Sequence, residues 1–273
     1  VTGERRLSIS IWAAASILAA LSLASILYGG NAHEAQDLDA RCSRPYLIGG
    51  DDPRYLLGAD QLGRDLGART LAGIRVSYMI ALIGTAVSAV IGTLLGFLAT
   101  RMKGIVEEAI LMLVDIQASL PFILVAVAFL MIVKSSFLVL LVLLSLSGWG
   151  RYARLTRSLS DSAMKDGYAL AVRALGASPG RVFFRHVLPN ISSALIVNMA
   201  LQFPAIMIAE SSLSFLGIGI QPPLVSLGRL LGEGRTYLTT AWWISVLPGA
   251  VIFASTLAMT VVGDWMRDRL GES

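Results

Sequence analysis

Six apolar runs, separated by polar segments, set the plan of this chain, and most are long enough for an α-helix to cross about 30 Å of hydrocarbon. The first covers residues 7–28, behind Glu4, Arg5 and Arg6. The second spans about 76–99 and carries Gly84, Gly92 and Gly96 among small neighbours, a face on which another helix can approach closely. The third covers about 110–133, with Pro121 inside it as a kink. The fourth, 137–149, is short for a crossing, so the helix is expected to continue to about Leu155 while Arg151 and Arg154 snorkel. The fifth is expected to begin at Pro189, a favourable first helical position, and to reach about Ala209 through Pro204. Trp242 and Trp243 anchor the last at the interface, and it continues through Pro248 to Val262, where Gly263 and Asp264 end it. Two readings fit the first run: a membrane helix, or the core of a signal peptide behind positive residues. Its length and the even number of spans favour the uncleaved helix.

The polar segments differ in kind. Residues 29–65 read as an external loop with a turn at Asp51-Asp52-Pro53, and 66–74 as an interfacial helix leading into the second span. Arg64 and Asp65 fit capping and loop packing better than contact with a partner. The central interruption, 150–188, carries Arg151, Arg154, Arg157, Lys165, Arg173, Arg181 and Arg185. Within it Met164, Tyr168, Ala171, Val172 and Leu175 fall on one helical face, and Gly176 stands where that helix should stop. After a Gly-Ala-Ser-Pro-Gly corner, a second short amphipathic segment sets Val182, Phe183 and Val187 against Arg181 and Arg185. Two short helices so joined would make a rigid knob outside the membrane; the alternative is a basic loop that only fixes topology. Residues 210–240 return outside, with an apolar portion from Ser212 through Phe215 and Gly217 to Gly219, then a rigid Gln221-Pro222-Pro223 turn.

Composition agrees with a membrane protein: 55% of residues are hydrophobic, 15% are charged and the mean hydropathy is +0.71. The pI near 9.5 does not point to nucleic acid, because topology accounts for the bases. With the N-terminus inside, cytoplasmic segments hold thirteen Lys and Arg against eight Asp and Glu, and external segments nine against nine. The fold expected is therefore all-α, with six transmembrane helices and both termini cytoplasmic. Its parts are 1–28, the external 29–75, a five-helix core 76–262 containing the cytoplasmic loop 150–188, and a tail 263–273. A single Cys42 and the distant His33 and His186 give no metal site and no disulfide. Asp115 is a candidate for the translocation path or for a hydrated membrane edge, and Asn198 and Gln202 share a helical face that either bonds a neighbour or lines a polar path. No GxxxxGK[ST] phosphate loop or catalytic constellation is present, so no enzyme activity is expected of this chain.

The run from Tyr168 through Leu170, Ala171, Val172, Arg173 and Leu175 to Gly176, followed by Phe184-Arg-His-Val-Leu-Pro-Asn190, resembles the coupling loop of membrane subunits of binding-protein-dependent ABC importers. Within them it is most similar to the second permease of the dipeptide, oligopeptide and nickel systems. The family's glutamate and two alanines correspond to Leu170, Ala171 and Val172, so the acidic member is absent here. Leu57-Gly-Ala-Asp-Gln-Leu-Gly-Arg-Asp65, Ser212-Leu-Ser-Phe-Leu-Gly-Ile-Gly-Ile-Gln-Pro-Pro223 and Gly263-Asp-Trp-Met-Arg-Asp268 also resemble family segments. The resemblance implies a type I importer permease in the bacterial inner membrane, surrounded by lipid and paired with a second permease. Its loop would dock on ATP-hydrolysing subunits that use ATP and Mg, and Ser212, Phe215, Gly217, Gln221, Pro222 and Pro223 would gate the outside or meet a substrate-binding protein. The implied cargo is a di- or oligopeptide, with a nickel chelate or another small solute as the alternative. An ion-coupled secondary transporter would call for an inverted repeat and discontinuous helices, which the sequence does not show.

Overall fold

The computed structural model describes residues 2–27, 35–165, 172 and 174–271, with side chains between residues 10 and 270 of those segments. Its main helices are α1 Thr2–Leu27, α2 Leu66–Arg101, α3 Ile105–Ser119, α4 Phe122–Val133, α5 Phe137–Ala163, α6 Pro179–Phe215, α7 Leu227–Gly234 and α8 Trp243–Gly271. Five are long and apolar enough to cross a membrane, and a sixth span arises if α3 and α4 count as one. No strand forms among the described residues beyond an isolated bridge between Ala59 and Asp65.

Several helix boundaries depart from the periodicity, each for an identifiable reason. The interfacial helix and the second span are one helix, α2, started by Asp65, whose carboxylate accepts the Gly67 N–H at 2.8 Å. Pro121 does more than kink the third span. Leu120 is forced to extended backbone (φ −97°, ψ 129°), and the axes of α3 and α4 differ by 90°. α5 runs past Leu155 to Ala163 because Tyr152, Ala153, Thr156, Ser160 and Ala163 are buried against neighbouring helices. α6 begins at Pro179 instead of Pro189, so the second half of the expected knob is the first part of a span. A π-helical stretch, Phe183–Val187, precedes Pro189, whose ring and missing N–H disfavour a regular turn there. Gly263 does not end α8. It faces α6, where a Cβ would lie 3.0 Å from Leu201 Cδ2, and the helix continues to Gly271. Glu210, expected at the start of an external loop, is fully buried inside α6.

α2 is the central element, packed against α5 and α6, with α8 against α6, and α1 against α8 and α2. Its glycine face lies on α5 as expected: a Cβ at Gly92 would sit 2.2 Å from the Trp149 carbonyl oxygen, and one at Gly96 2.5 Å from that of Ala153. Arg75 donates to the Ser25 and Ile26 carbonyls in the last described turn of α1 at 2.8 and 3.2 Å. The bundle thus has a loop-rich end, with residues 35–65 and 216–242, and a basic end, with residues 102–104, 164–165 and 174–178.

Candidate functional site

At the basic end the sequence makes a two-sided surface. Val182, Phe183 and Val187 are wholly buried, while Arg181 and Arg185 on the other side are exposed, the division that the amphipathic spacing predicts. Phe183 stacks on Phe97 of α2 with ring centroids 3.9 Å apart, and Phe184 meets Phe183 edge-on at 5.2 Å. Tyr152, Ala163, Ile191 and Leu195 complete this apolar anchor. Gly176 has φ +85°, and the Ala177 N–H reaches back to the Val172 carbonyl at 3.3 Å, the long bond of a glycine-terminated helix end. Ser178 then accepts the Arg181 N–H at 3.4 Å and Pro179 occupies the first turn of α6.

The expected docking face is only partly within the described residues, since Tyr168, Leu170, Ala171 and Arg173 lie outside them. Of the remainder, Val172 packs inward against the anchor, whereas Leu175 is 87% exposed. Val172 therefore belongs to the molecule's own packing, and among the described residues the outward apolar surface here includes Leu175 and the half-exposed Phe184.

Beside this end α3 is fastened to α5. Asp115 pairs with Arg154, the Arg157 Nε donates to Glu107 at 2.7 Å, and Gln117 donates to the Leu146 carbonyl. The Asp115 side chain is 69% exposed and that of Arg154 49%. Deeper in the bundle, Asn198 turns its amide back to the Ala194 carbonyl of its own helix at 3.0 Å. Gln202 is buried against Gly148 of α5, and its Oε1 has no hydrogen-bond partner. The shared helical face thus gives two different environments.

At the loop-rich end α6 closes on Gly217 at φ +84°, where Gly217 and Ile218 N–H groups bond the Ser214 and Leu213 carbonyls at 3.0 and 3.2 Å. Gln221 Nε2 donates to the Gly217 and Gly219 carbonyls at 3.1 Å, which stiffens the turn before the exposed, cis-linked Pro222 and Pro223. Phe215, Gly217 and Gln221 line a cavity of about 230 Å³ with Arg229, Glu233 and Arg235 of the facing segment. Ser212 instead donates to the Ile208 carbonyl at 2.8 Å and borders a separate apolar recess.

Sequence reasoning missed the ion network behind this cavity. Arg69 of α2, 1% exposed, donates from Nη1 to Asp60 and, at 2.9 Å, to Glu233 of α7. Arg64 holds Asp60 at 2.7 Å and Arg229 holds Glu233 at 2.7 Å. Burial works against the Glu233 carboxylate, but attraction to Arg69 and the bond from Arg229 prevail and keep its pKa below the ordinary value. The spacing of Asp60 with Arg64, and of Arg229 with Glu233, was a readable signal; the link through Arg69 was not.

Comparison with known proteins matches this architecture. Residues 88–272 match the family described as binding-protein-dependent transport system inner membrane component. The chain is 37% identical over 226 residues to a di/tripeptide transport system permease protein DppC of Pseudomonas aeruginosa, covering 83% of this chain and 75% of that one. It is 33% identical over 226 residues to a dipeptide transport system permease protein DppC of Haemophilus influenzae, covering 83% and 77%. A glutathione transport system permease protein GsiD of Pectobacterium atrosepticum is 33% identical over 221 residues, covering 81% and 73%. A helical bundle with five or six apolar spans and a family match over most of its length show that the chain belongs to the inner-membrane components of binding-protein-dependent transport systems.

Proposed function

We propose that this chain is one permease of a pair that imports di- or oligopeptides, driven by two ATPase subunits using ATP and Mg and supplied by an external binding protein. The basic end faces the cytoplasm, with both termini, and the loop-rich end faces outside. The names of the similar permeases support the cargo class. The observation that carries the coupling role is the two-sided segment after Gly176. Its inner side is locked to α2 by Phe183 on Phe97, while Arg181, Phe184, Arg185 and Leu175 remain exposed for a partner. An ATPase dimer that closes on ATP would displace this segment, and close packing would pass the displacement to α2 and α6. Both helices reach the opposite end, where residues 212–223 border the path mouth. Asp115, paired with Arg154 at an exposed seam, is read as a hydrated boundary charge near the cytoplasmic edge.

Copurification from native membranes, followed by reconstitution and uptake of a labelled dipeptide, tests the assignment. Recovery of an ATPase pair, a second permease and a peptide-loaded binding protein is expected. Recovery with neither ATPase nor binding protein would overturn the importer role, and ATP-driven uptake of a nickel chelate without peptide uptake would overturn the cargo.

A further inference from the structure

Glu210 is a fully buried carboxylate in a membrane helix, and the coupling geometry above makes no use of it. Its surroundings hold hydroxyls in an ordered arrangement. Ser77 of α2 donates to Oε2 at 3.0 Å, Ser214 donates to Oε1 at 2.7 Å, and Ser211 lies 3.5 Å from Oε2. Two of these hydroxyls also accept a backbone N–H. Ser214 takes that of Ile220 at 3.1 Å, and Ser77 takes that of Leu227, the first residue of α7, at 3.2 Å. A serine hydroxyl has one proton and can accept through its lone pairs, so an N–H bound on the acceptor side leaves the proton for the carboxylate. Each relay runs from backbone N–H through a serine to Glu210, and each ends on a different carboxylate oxygen.

The two N–H groups belong to the two elements of the loop-rich end. Ile220 lies in the turn that closes α6, and Leu227 opens α7; both side chains are buried. The start of α7 is wedged between α2 and α6: a Cβ at Gly73 would be 3.2 Å from the Leu227 nitrogen, and one at Gly228 2.3 Å from Ser211 Cα. With neighbours this close, a small change at the carboxylate is transmitted to both elements.

We propose that Glu210 is the positioning residue of the external gate, holding the 217–221 turn through Ser214 and the start of α7 through Ser77, so that both keep one closed arrangement and are released together. The proposal rests on the reading that residues 212–223 border the path mouth. Each of the two carboxyl oxygens serves as an acceptor at this position. In Glu210→Gln the side-chain amide has a single acceptor oxygen, so one serine proton loses its acceptor and meets an N–H group instead.

The test uses the reconstituted complex with Cys42→Ser and a single reporter, either Ile220→Cys or Leu227→Cys, and a membrane-impermeant thiol reagent applied from outside. With Glu210 present, both reporters should be protected at rest and react when loaded binding protein and ATP are supplied. With Glu210→Gln, the reporter whose serine loses its acceptor should react at rest, at least about tenfold faster. Ser214→Ala should expose mainly the Ile220→Cys reporter and Ser77→Ala mainly the Leu227→Cys reporter. An assembled Glu210→Gln complex with both reporters still protected would overturn the proposal. So would serine variants that expose both reporters equally, since that is general loosening. If Glu210→Gln fails to assemble, the two serine variants decide. Reporters that never respond to binding protein and ATP in the Glu210 parent would sink the path-mouth reading instead, with the anchoring role still read from the contrast between Glu210 and Gln.

Discussion

The two ends of the bundle are built from different interactions. At the basic end aromatic and aliphatic side chains anchor the segment after Gly176, with Phe183 stacked on Phe97 and Arg181 and Arg185 left outward. At the loop-rich end directional polar bonds do the fastening, from Arg69 to Asp60 and Glu233, and from serines to Glu210. Apolar packing is tolerant of direction but resists separation, which suits the proposed coupling role of this end. Hydrogen bonds and ion pairs hold one geometry and lose strength abruptly when it changes, which suits the gate proposed for this end. α2 carries both kinds, Arg69 and Ser77 near its start and Phe97 near its end, so one helix connects them.

Removing Arg69 is the hardest blow to the polar end. Arg69→Met would remove the most buried cation between Asp60 and Glu233, leaving Arg64 to bridge them and Arg229 on Glu233, so the cost of breaking a buried pair, about 3–5 kcal/mol, is the upper limit. Thermal unfolding in detergent should show a large loss of stability, and external protease should cut within residues 35–65 more readily. A melting temperature unchanged from the parent would mean that the network is not holding that end. At the basic end Phe183→Ala should cost a similar amount, about 3–5 kcal/mol, by opening a cavity beside Phe97. Stimulation of ATP hydrolysis by loaded binding protein should fall more than about tenfold, while protection of external reporters at rest stays normal. If both ends loosen together in either variant, the proposed separation of the two fastenings is wrong.

Gly176→Val sharpens the comparison without touching the anchor. Among the described residues, none apart from its chain neighbours lies within 4 Å of a Cβ at Gly176, and its backbone has φ +85°. A left-handed backbone costs a β-branched residue about 1–2 kcal/mol, enough to shift the helix end and the outward Leu175. Membrane insertion should persist while ATPase copurification weakens and stimulated hydrolysis is lost. Leu170→Glu, which restores the family's common residue, should be much milder. Normal stimulated hydrolysis in Gly176→Val would return this stretch to a loop that only sets topology.

Acid provides a smaller, one-sided perturbation. The Glu233 pKa is held below its ordinary 4.5, so the unfolded chain binds more protons than the folded one as the pH falls below that value. The contribution is therefore present in full above the ordinary pKa and is lost as pH falls through the lower, folded-state value. Unfolding of the parent between about pH 3 and 6 should show stability rising with pH, and the rise should shrink in Arg69→Met. Equal slopes in the two proteins would remove Glu233 from the account.

How much of this was legible in the sequence depended on the range of the interaction. Local spacing revealed the apolar spans, the division of Val182, Phe183 and Val187 from Arg181 and Arg185, and the stop at Gly176. The extension of α5 was also present, because Tyr152, Thr156, Ser160 and Ala163 recur at helical spacing through the basic stretch; the surrounding arginines obscured it. The polar end was not legible, since Arg69 meets Glu233 across 164 positions and Glu210 meets Ser77 across 133. Glu210 looked like a boundary charge because a carboxylate among serines is equally at home in a loop. Its burial depends on α2 and α7 arriving from elsewhere in the chain.

The smallest effect is expected where the two kinds of fastening overlap. Asp115 and Arg154 form a polar contact near the apolar end, but their side chains are 69% and 49% exposed. An ion pair this open contributes about 0–1 kcal/mol, because water and salt screen it and two flexible side chains must be ordered to make it. α3 also keeps its Glu107 to Arg157 bond and the Gln117 contact with Leu146, so the helix should stay in place without Asp115. Asp115→Asn and Arg154→Met should each leave assembly normal and reduce peptide uptake by less than about threefold, and the double variant should be no worse than either single one. A loss greater than about tenfold with normal assembly would show that Asp115 acts on the cargo or the gate. In that event the apolar end also contains a polar element that changes between states, and the contrast between the two ends would have to be redrawn along the path instead of across the bundle.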